Sequence, residues 1–402
     1  MQKMKIAVLV PDGAADLPLD QLDGKTPLEA ANIPNTDRVA VLGATGTARM
    51  VPAGMPAGSD VANLSLFGYD PSEHYGGRGP IEAANLGISV PSGWTAFRCN
   101  LVATDSGRML DYSAGHIGQQ EAGEVMAALE EKLADEQTRF HQGKSYRNIM
   151  LIEGDYSGLE CTAPHDITGE PLEGNMPEGP GSERIIELMK RSRDVLRGLD
   201  VNERLAAAGR PKADMIWLWG QGVSMELESY KERFGLSGGV ISAVDLVNGL
   251  GRLMGLRPIE VQGATGFLDT NYAGKGQAAV EALSGDDFVY VHVEAPDEAS
   301  HIGGIEEKVK ALERFDSFVV KPVLDFLFEQ GDFRLLVCPD HPTLISTLTH
   351  DASPVPFAAC GVGIPEGGST SFSEAEAREG RFRIEQGWRL MSYLSGKSPW
   401  PA

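Results

Sequence analysis

Cysteine is scarce in this 402-residue chain: Cys99, Cys161, Cys338 and Cys360 are too few, and too far from any CxxC spacing, for a disulfide framework. Buried free thiols are the expected role. Long apolar runs are also missing. No stretch approaches the ~18 residues of a membrane span, and the run Met4 to Val10 is ended by Pro11-Asp12 too soon for a signal-peptide core, so a cytoplasmic protein with no membrane partner is expected. Basic residues are in deficit, 35 Lys and Arg against 57 Asp and Glu, for a formal net charge of -22. Nucleic acid and anionic membranes would be repelled by such a surface, but a small phosphorylated substrate would not be, because bound cations and a few arginines can reverse the potential inside one pocket. There is no Gly-x-x-x-x-Gly-Lys-Ser/Thr loop, and the run Gly249 to Gly255 has the wrong spacing for a dinucleotide fingerprint.

The length exceeds what one ordinary core organises, so two domains are expected, one inserted in the other. Residues 1–91 and 221–402 carry alternating strand and helix patterns: Lys5 to Val10, Asn35 to Leu42, Gly238 to Met254, Phe288 to Glu294, Glu306 to Glu329, Arg334 to Cys338 and Val355 to Cys360. Such alternation predicts an α/β fold, a mostly parallel sheet covered by helices on both faces. Residues 92–220 read instead as β-β-α-β-α-β, a smaller inserted α+β module with a long Pro- and Gly-rich loop from Thr162 to Gly181.

Seven metal-capable residues stand out: Asp12, Ser59, Asp297, His301, Asp340, His341 and His350. Three short segments carry most of them, Val8-Leu-Val-Pro-Asp12-Gly13, Ala295-Pro-Asp297-Glu-Ala-Ser-His301 and Leu336-Val-Cys-Pro-Asp340-His341. Each follows a predicted strand, where an α/β sheet delivers side chains to a shared pocket. Asp297 and His301 are four apart and would face one side of a helix. The set suffices for two divalent cations with one position for a nucleophilic hydroxyl, which points to phosphoryl transfer. Ser59 follows the Pro- and Gly-dense loop Val51 to Gly58 at the expected start of a helix, where it is either an N-cap or a nucleophile activated by a cation. Arg78, Arg98 and Lys231 are either surface charges or binders of a phosphate or carboxylate. His165-Asp166 is either a turn or an acid/base pair. His116, His141 and His292 have no partner at ligand spacing, and His292, alternating within a strand, is expected to be a core or packed polar residue.

At these residues the chain resembles the cofactor-independent phosphoglycerate mutases of the archaeal type, members of the alkaline phosphatase superfamily. The matching segments run nearly end to end: Asp12-Gly-Ala-Ala-Asp16, Gly24-Lys-Thr-Pro-Leu-Glu-Ala30, Pro34-Asn-Thr-Asp-Arg38, Gly58-Ser-Asp-Val-Ala-Asn-Leu-Ser65, Gly68-Tyr-Asp-Pro71, Gly77-Arg-Gly-Pro80, Gly263-Ala-Thr-Gly-Phe-Leu-Asp-Thr270, Asp297 with His301, and Asp340-His341. The resemblance implies one metal on Asp297, His301 and His350, and another on Asp12, Ser59, Asp340 and His341. It implies that Ser59 takes the phosphoryl group of 3-phosphoglycerate and returns it to the neighbouring hydroxyl, without bisphosphoglycerate, under an inserted domain that keeps water away. An Asp and His ligand set suits manganese, with zinc or magnesium as alternatives. Ala295-Pro-Asp297-Glu, Trp217-Leu-Trp-Gly-Gln-Gly222, Asp111-Tyr-Ser-Ala-Gly115 and Pro164-His-Asp-Ile-Thr-Gly169 are similar to a bacterial branch labelled proposed homoserine kinase. Homoserine-kinase-like transfer or phosphomonoester hydrolysis is therefore the alternative activity. The sequence sets no expectation for oligomeric state.

Overall fold

A strand with an unbroken apolar run, Ile6 to Pro11, needs cover on both faces, and Lys5–Pro11 has it: all seven residues are buried. In the computed structural model, which describes residues 4–401, this strand lies inside an eight-stranded sheet. The order across the sheet is Phe382–Ile384, Ala44–Ala48, Val355–Gly361, Phe333–Val337, Lys5–Pro11, Phe288–Val293, Gly238–Ile241 and Arg257–Pro258. Pairing is parallel except where Val355–Gly361 runs antiparallel to both neighbours. One face packs Ala7, Leu9, Val289, Val291, Leu335 and Val337 against residues of the helices Pro34–Val41, Tyr272–Gly285, Ile305–Phe315 and Lys321–Gln330. On the other face Tyr290 stacks on Phe67, which closes the helix Ser59–Leu66, with ring centroids 4.0 Å apart. The expected α/β architecture is the one found.

The chain forms two compact units, one running to Tyr75 and resuming at Leu227, the other spanning Gly76–Glu226. These divisions fall outside the expected 92–220. The helix Arg78–Asn85 buries Ile81 and Ala83, and Ala83 packs with Ala96, Ile149 and Leu151, so it belongs with the strands that follow it. At the other end the strand Met215–Val223 continues past 220, pairing Val223 with Thr95. The second unit is an antiparallel five-stranded sheet carrying the helices Gln119–Leu133, Ser182–Leu196 and Asp200–Ala207. Its strand Thr138–Lys144 is not in the expected β-β-α-β-α-β series, because only Thr138 and Phe140 of its seven residues are buried and the apolar pattern is correspondingly thin.

In the first unit, the run Glu306 to Glu329, which reads as one element, is two helices joined by a π-turn at Asp316–Val320. Asp316 there accepts hydrogen bonds from the backbone and side chains of Asn35 and Thr36, satisfying free amides where the helix Pro34–Val41 begins. Gly238 to Met254 likewise separates into the strand Gly238–Ile241 and the helix Asp245–Leu253.

Cys99, Cys338 and Cys360 are buried and Cys161 is partly so. Burial pushes the Cys161 and Cys360 thiols up to about 12, and a thiol raised so far holds almost no thiolate at neutral pH. Alkylation of the native protein by iodoacetamide at pH 8 is expected to be slow at all four cysteines and rapid after unfolding. Fast labelling of a buried thiol in the native state would contradict the core described above.

Candidate active site

Three neighbouring parallel strands set up the site. Lys5–Pro11 lies between Phe288–Val293 and Phe333–Val337 and runs parallel to both. Whatever follows each strand therefore emerges at the same sheet edge. Asp12 follows the first, the helix Ala295–His301 follows the second, and Asp340-His341 follows the third. The hairpin Thr343–Leu344 with Thr349–His350 pairs Thr343 opposite His350 and folds that histidine back over the edge. Ser59 opens the helix Ser59–Leu66; its N-cap is Gly58, so the Ser59 hydroxyl is not spent capping the helix.

These segments bring all seven sequence-predicted residues together. Asp297 Oδ2 lies 3.2 Å from His301 Nε2, and its Oδ1 lies 3.4 Å from His350 Nε2. His341 Nε2 is 3.4 Å from Asp12 Oδ1, 3.6 Å from Asp340 Oδ2 and 3.1 Å from Ser59 Oγ. Asp12, Asp340 and His341 are almost completely buried, and His301 and His350 only partly. Three groups able to hold a metal follow, Asp297 with His301 and His350, Asp12 with Asp297 and His341, and Asp12 with Asp340 and a further histidine, His292.

The side-chain chemistry fits divalent cations. The Nδ1 atoms of His301, His350 and His341 each face a backbone carbonyl, of Leu348 at 2.9 Å, Ala57 at 2.8 Å and Pro342 at 3.3 Å. A carbonyl only accepts, so each ring, when neutral, carries its proton on Nδ1 and turns the Nε2 lone pair inward, the orientation a metal-ligating histidine needs. His301 and His350 then hold their Nε2 atoms 3.0 Å apart. Two facing lone pairs repel, and a shared cation removes the repulsion. Asp12 Oδ1 is buried without a hydrogen-bond partner among the described residues, a cost that coordination would offset.

The carboxylates show the same crowding. Burial, and then the charges of Asp340 and Asp297, push Asp12 well above the usual carboxylate range. Burial also acts to raise Asp297, but hydrogen bonds from His301 and His350, each carrying a second proton on Nε2 in the place a cation would take, outweigh it and hold the group well below that range. Asp340 is likewise held low by His341 and His292 against its burial. His301 rises to about 9, chiefly through its hydrogen bond to Asp297. Buried negative charge packed this densely is stable only beside positive charge.

Neighbouring groups fix the ligands in place. Asn63, one turn after Ser59, donates to Asp340 Oδ2 at 2.6 Å and to the Ser59 carbonyl at 2.8 Å, while Tyr290 donates to Asn63 Oδ1 at 2.6 Å. Thr343 donates to Asp297 Oδ1. The buried Lys308 ammonium holds the Thr343 carbonyl at 2.8 Å and Asp16 at 2.9 Å. Gly13 sits at φ +61°, where a Cβ would stand 2.6 Å from Asp297 Oδ1 and 2.5 Å from Thr343 Oγ1. Gly13→Ala is therefore expected to cost roughly 1–3 kcal/mol of stability from backbone strain alone and to displace Asp297. Thermal unfolding together with a metal titration would check it; an unchanged melting point and affinity would contradict the close approach.

Of the five residues expected to bind substrate, four lie in the second unit, around Glu82 and Trp219. Arg78 is exposed at the start of its helix, 3.6 Å from Glu82, and Arg98 is buried on Trp94–Asp105, 3.0 Å from Glu82, with its guanidinium 3.8 Å from the Trp219 ring centre. His165 and Asp166 are exposed and 3.5 Å apart, with the His165 ring 5.4 Å from Trp219. Lys231 is exposed on the short helix Tyr230–Phe234 of the first unit. Sequence reasoning missed His292, which lies wholly buried 3.2 Å from Asp12 Oδ2. The signal was available: Tyr290 and His292 alternate as polar side chains in a strand that is otherwise Phe and Val, and buried polar groups need partners.

A family model described as 2,3-bisphosphoglycerate-independent phosphoglycerate mutase matches residues 40–202. A protein of Methanothermobacter thermautotrophicus named 2,3-bisphosphoglycerate-independent phosphoglycerate mutase 2 is 48% identical over 396 residues, 98% of this chain and 98% of its own. The chain belongs to this family. A bacterial protein, from Geobacter sulfurreducens and named a probable 2,3-bisphosphoglycerate-independent phosphoglycerate mutase, is 46% identical over 396 residues, 97% of this chain and 99% of its own. Among solved structures, the cofactor-independent phosphoglycerate mutase from Thermoplasma acidophilum covers 98% of this chain and 100% of its own, with a TM-score of 0.69 at 26% identity. The family anticipated from the sequence motifs is the family found, and mutases of the family supply the fold match as well.

Proposed function

We propose that the protein is a metal-dependent, bisphosphoglycerate-independent phosphoglycerate mutase that interconverts 3-phosphoglycerate and 2-phosphoglycerate through phosphorylated Ser59. The observation that carries this reading is the Ser59 hydroxyl, uncommitted to helix capping and 3.1 Å from the Nε2 of a buried histidine, at the rim of a cluster of three carboxylates and four imidazoles. One divalent cation would be held by Asp297, His301 and His350, and a second by Asp12, Asp340, His341 and Ser59, with manganese the ion we assign. When bound, the ions neutralise phosphoryl charge and favour the ionised serine oxygen.

The residues of the chain do the rest. Ser59 Oγ attacks phosphorus in line as the bond to the C3 oxygen of the substrate breaks; the C3 oxygen leaves as a hydroxyl and takes up the proton that the serine gives up. The phosphoryl group then passes from Ser59 Oγ to the C2 oxygen, whose proton returns to the serine. Free amides at the start of the helix Ser59–Leu66 face the transferring group with the positive end of the dipole. To Arg78, Arg98 and Lys231 we assign contacts to the carboxylate and phosphate of substrate, since positive groups, and guanidinium forks above all, match both, and to His165 a hydrogen bond to substrate with Asp166 holding the ring. The relatives named above, archaeal and bacterial, are called mutases, so the homoserine-kinase-like and phosphomonoesterase alternatives are not favoured. The reading carries with it a place in glycolysis or gluconeogenesis and a cytoplasmic setting; among the described residues no helix is long and apolar enough to cross a membrane. Purified, manganese-loaded protein given 3-phosphoglycerate without bisphosphoglycerate should form 2-phosphoglycerate. Phosphate release without isomerisation, or phosphorylation of homoserine by ATP, would replace this reading.

A further inference from the structure

His292 stands apart from the three histidines described above. It is fully buried in the strand Phe288–Val293, with Nε2 at 3.2 Å from Asp12 Oδ2 and 3.9 Å from Asp340 Oδ2. By position alone it could join Asp12 and Asp340 as a ligand. What faces its other nitrogen argues otherwise. His301 and His350 have a carbonyl at Nδ1, and His341 has a carbonyl and the Thr343 hydroxyl, whose proton goes to Asp297; His292 has only the Ser242 hydroxyl, at 3.4 Å. Ser242 Oγ already accepts the Val244 amide at 3.0 Å, and the Ser242 carbonyl accepts from Asn248 at 3.1 Å, so this turn is fixed. With one lone pair taken, the hydroxyl has its proton to give, and Nδ1 is the acceptor in reach. The ring then carries its own proton on Nε2, aimed between two carboxylates, and an N–H cannot ligate a cation.

We propose that His292 is a positioning residue: its Nε2–H, a buried donor that has no hydrogen-bond partner among the described residues and lies 3.2 Å from Asp12 Oδ2, takes up the Asp12 carboxylate when that group turns onto the cation beside Ser59 and holds it there. The strand thus serves both carboxylates of that site. Tyr290 fixes Asp340 through Asn63, and Ser242 fixes Asp12 through His292. The Lys275 ammonium, 2.9 Å from the His292 carbonyl, anchors the strand at the same residue. The proposal rests on the two-cation reading, because Asp12 has an orientation to keep only if it coordinates.

The test is a titration of the metal-free protein with Co2+, following affinity and the visible absorption of the bound ion, repeated with Mn2+ by calorimetry. The wild-type chain should take up two ions. His292→Phe should weaken one of them by roughly 10- to 100-fold, the usual cost of losing a hydrogen bond behind a metal ligand, while the cobalt bands at saturation keep their positions. His292→Gln, which retains an N–H at the ε position, should restore most of that affinity. Ser242→Ala, remote from both cations, should weaken the same ion several-fold and guards against a His292→Phe variant that fails to fold. Unchanged affinity in His292→Phe or in Ser242→Ala, a His292→Gln variant as weak as His292→Phe, or cobalt bands shifted as by loss of a nitrogen ligand would overturn the proposal. A wild-type chain that binds fewer than two ions would instead overturn the two-cation reading on which it stands.

Discussion

Ser59→Ala is expected to reduce interconversion of 3- and 2-phosphoglycerate by roughly a millionfold, the scale of loss when the nucleophile of a covalent mechanism is deleted. Loss of fold would not explain it. Gly58 is the N-cap of the helix, so the substitution removes no capping hydrogen bond, and alanine is the best of helix formers. Nor should it empty the site, since Asp12, Asp340 and His341 all remain. The variant should therefore melt close to wild type and still bind two cations while turning over no substrate. Steady-state kinetics beside a metal count make the comparison, and a variant retaining a tenth of wild-type activity would rule out phosphoryl transfer through this serine.

Asp297→Ala carries the second large expectation. One carboxylate here faces His301 and His350 and takes the Thr343 hydroxyl. Without it, one cation keeps only two imidazoles, whose Nε2 atoms lie 3.0 Å apart. Elemental analysis should fall from two ions per chain to one, and activity by at least about a thousandfold, as expected when electrostatic stabilisation of a phosphoryl group is lost. Chelation of the wild-type protein should reproduce the loss of activity reversibly. It should also lower thermal stability, because an ion present at 1,000 times its dissociation constant contributes about 4 kcal/mol. A chelated protein with undiminished activity would contradict both expectations.

Much of this was legible before any coordinates, for a reason specific to parallel sheets. The runs Lys5 to Val10, Phe288 to Glu294 and Arg334 to Cys338 are mostly apolar because both faces are covered, so the strands announce themselves, and polar residues just beyond them mark the edge where a site is built. Asp12, Asp297, His301, Asp340 and His341 were found by that logic, and Ser59 by the Gly- and Pro-rich loop before it. His292 is the packed polar strand residue expected, but its partner is not legible in the sequence: only the register Val10 to His292, which sets it beside the strand leading to Asp12, shows what it faces. The helix Arg78–Asn85 was left out of the inserted unit because its partner strand, Trp94–Asp105, comes later in the chain, and apolar periodicity does not say which core a short helix joins. Substrate contacts were the least legible part. Arg78 meets Glu82 four residues on in its own helix, but Arg98 reaches the same carboxylate from the strand Trp94–Asp105, a pairing between elements that no local pattern announces.

The measurement that bears most directly on the whole account is acid quenching of the manganese-loaded protein during turnover of 3-phosphoglycerate, followed by mass spectrometry of its peptides. One phosphoryl group on the peptide containing Ser59, absent from the chelated protein, is the predicted result. A phosphoryl group on another residue, or turnover with Ser59 unmodified at every quench time, would contradict it.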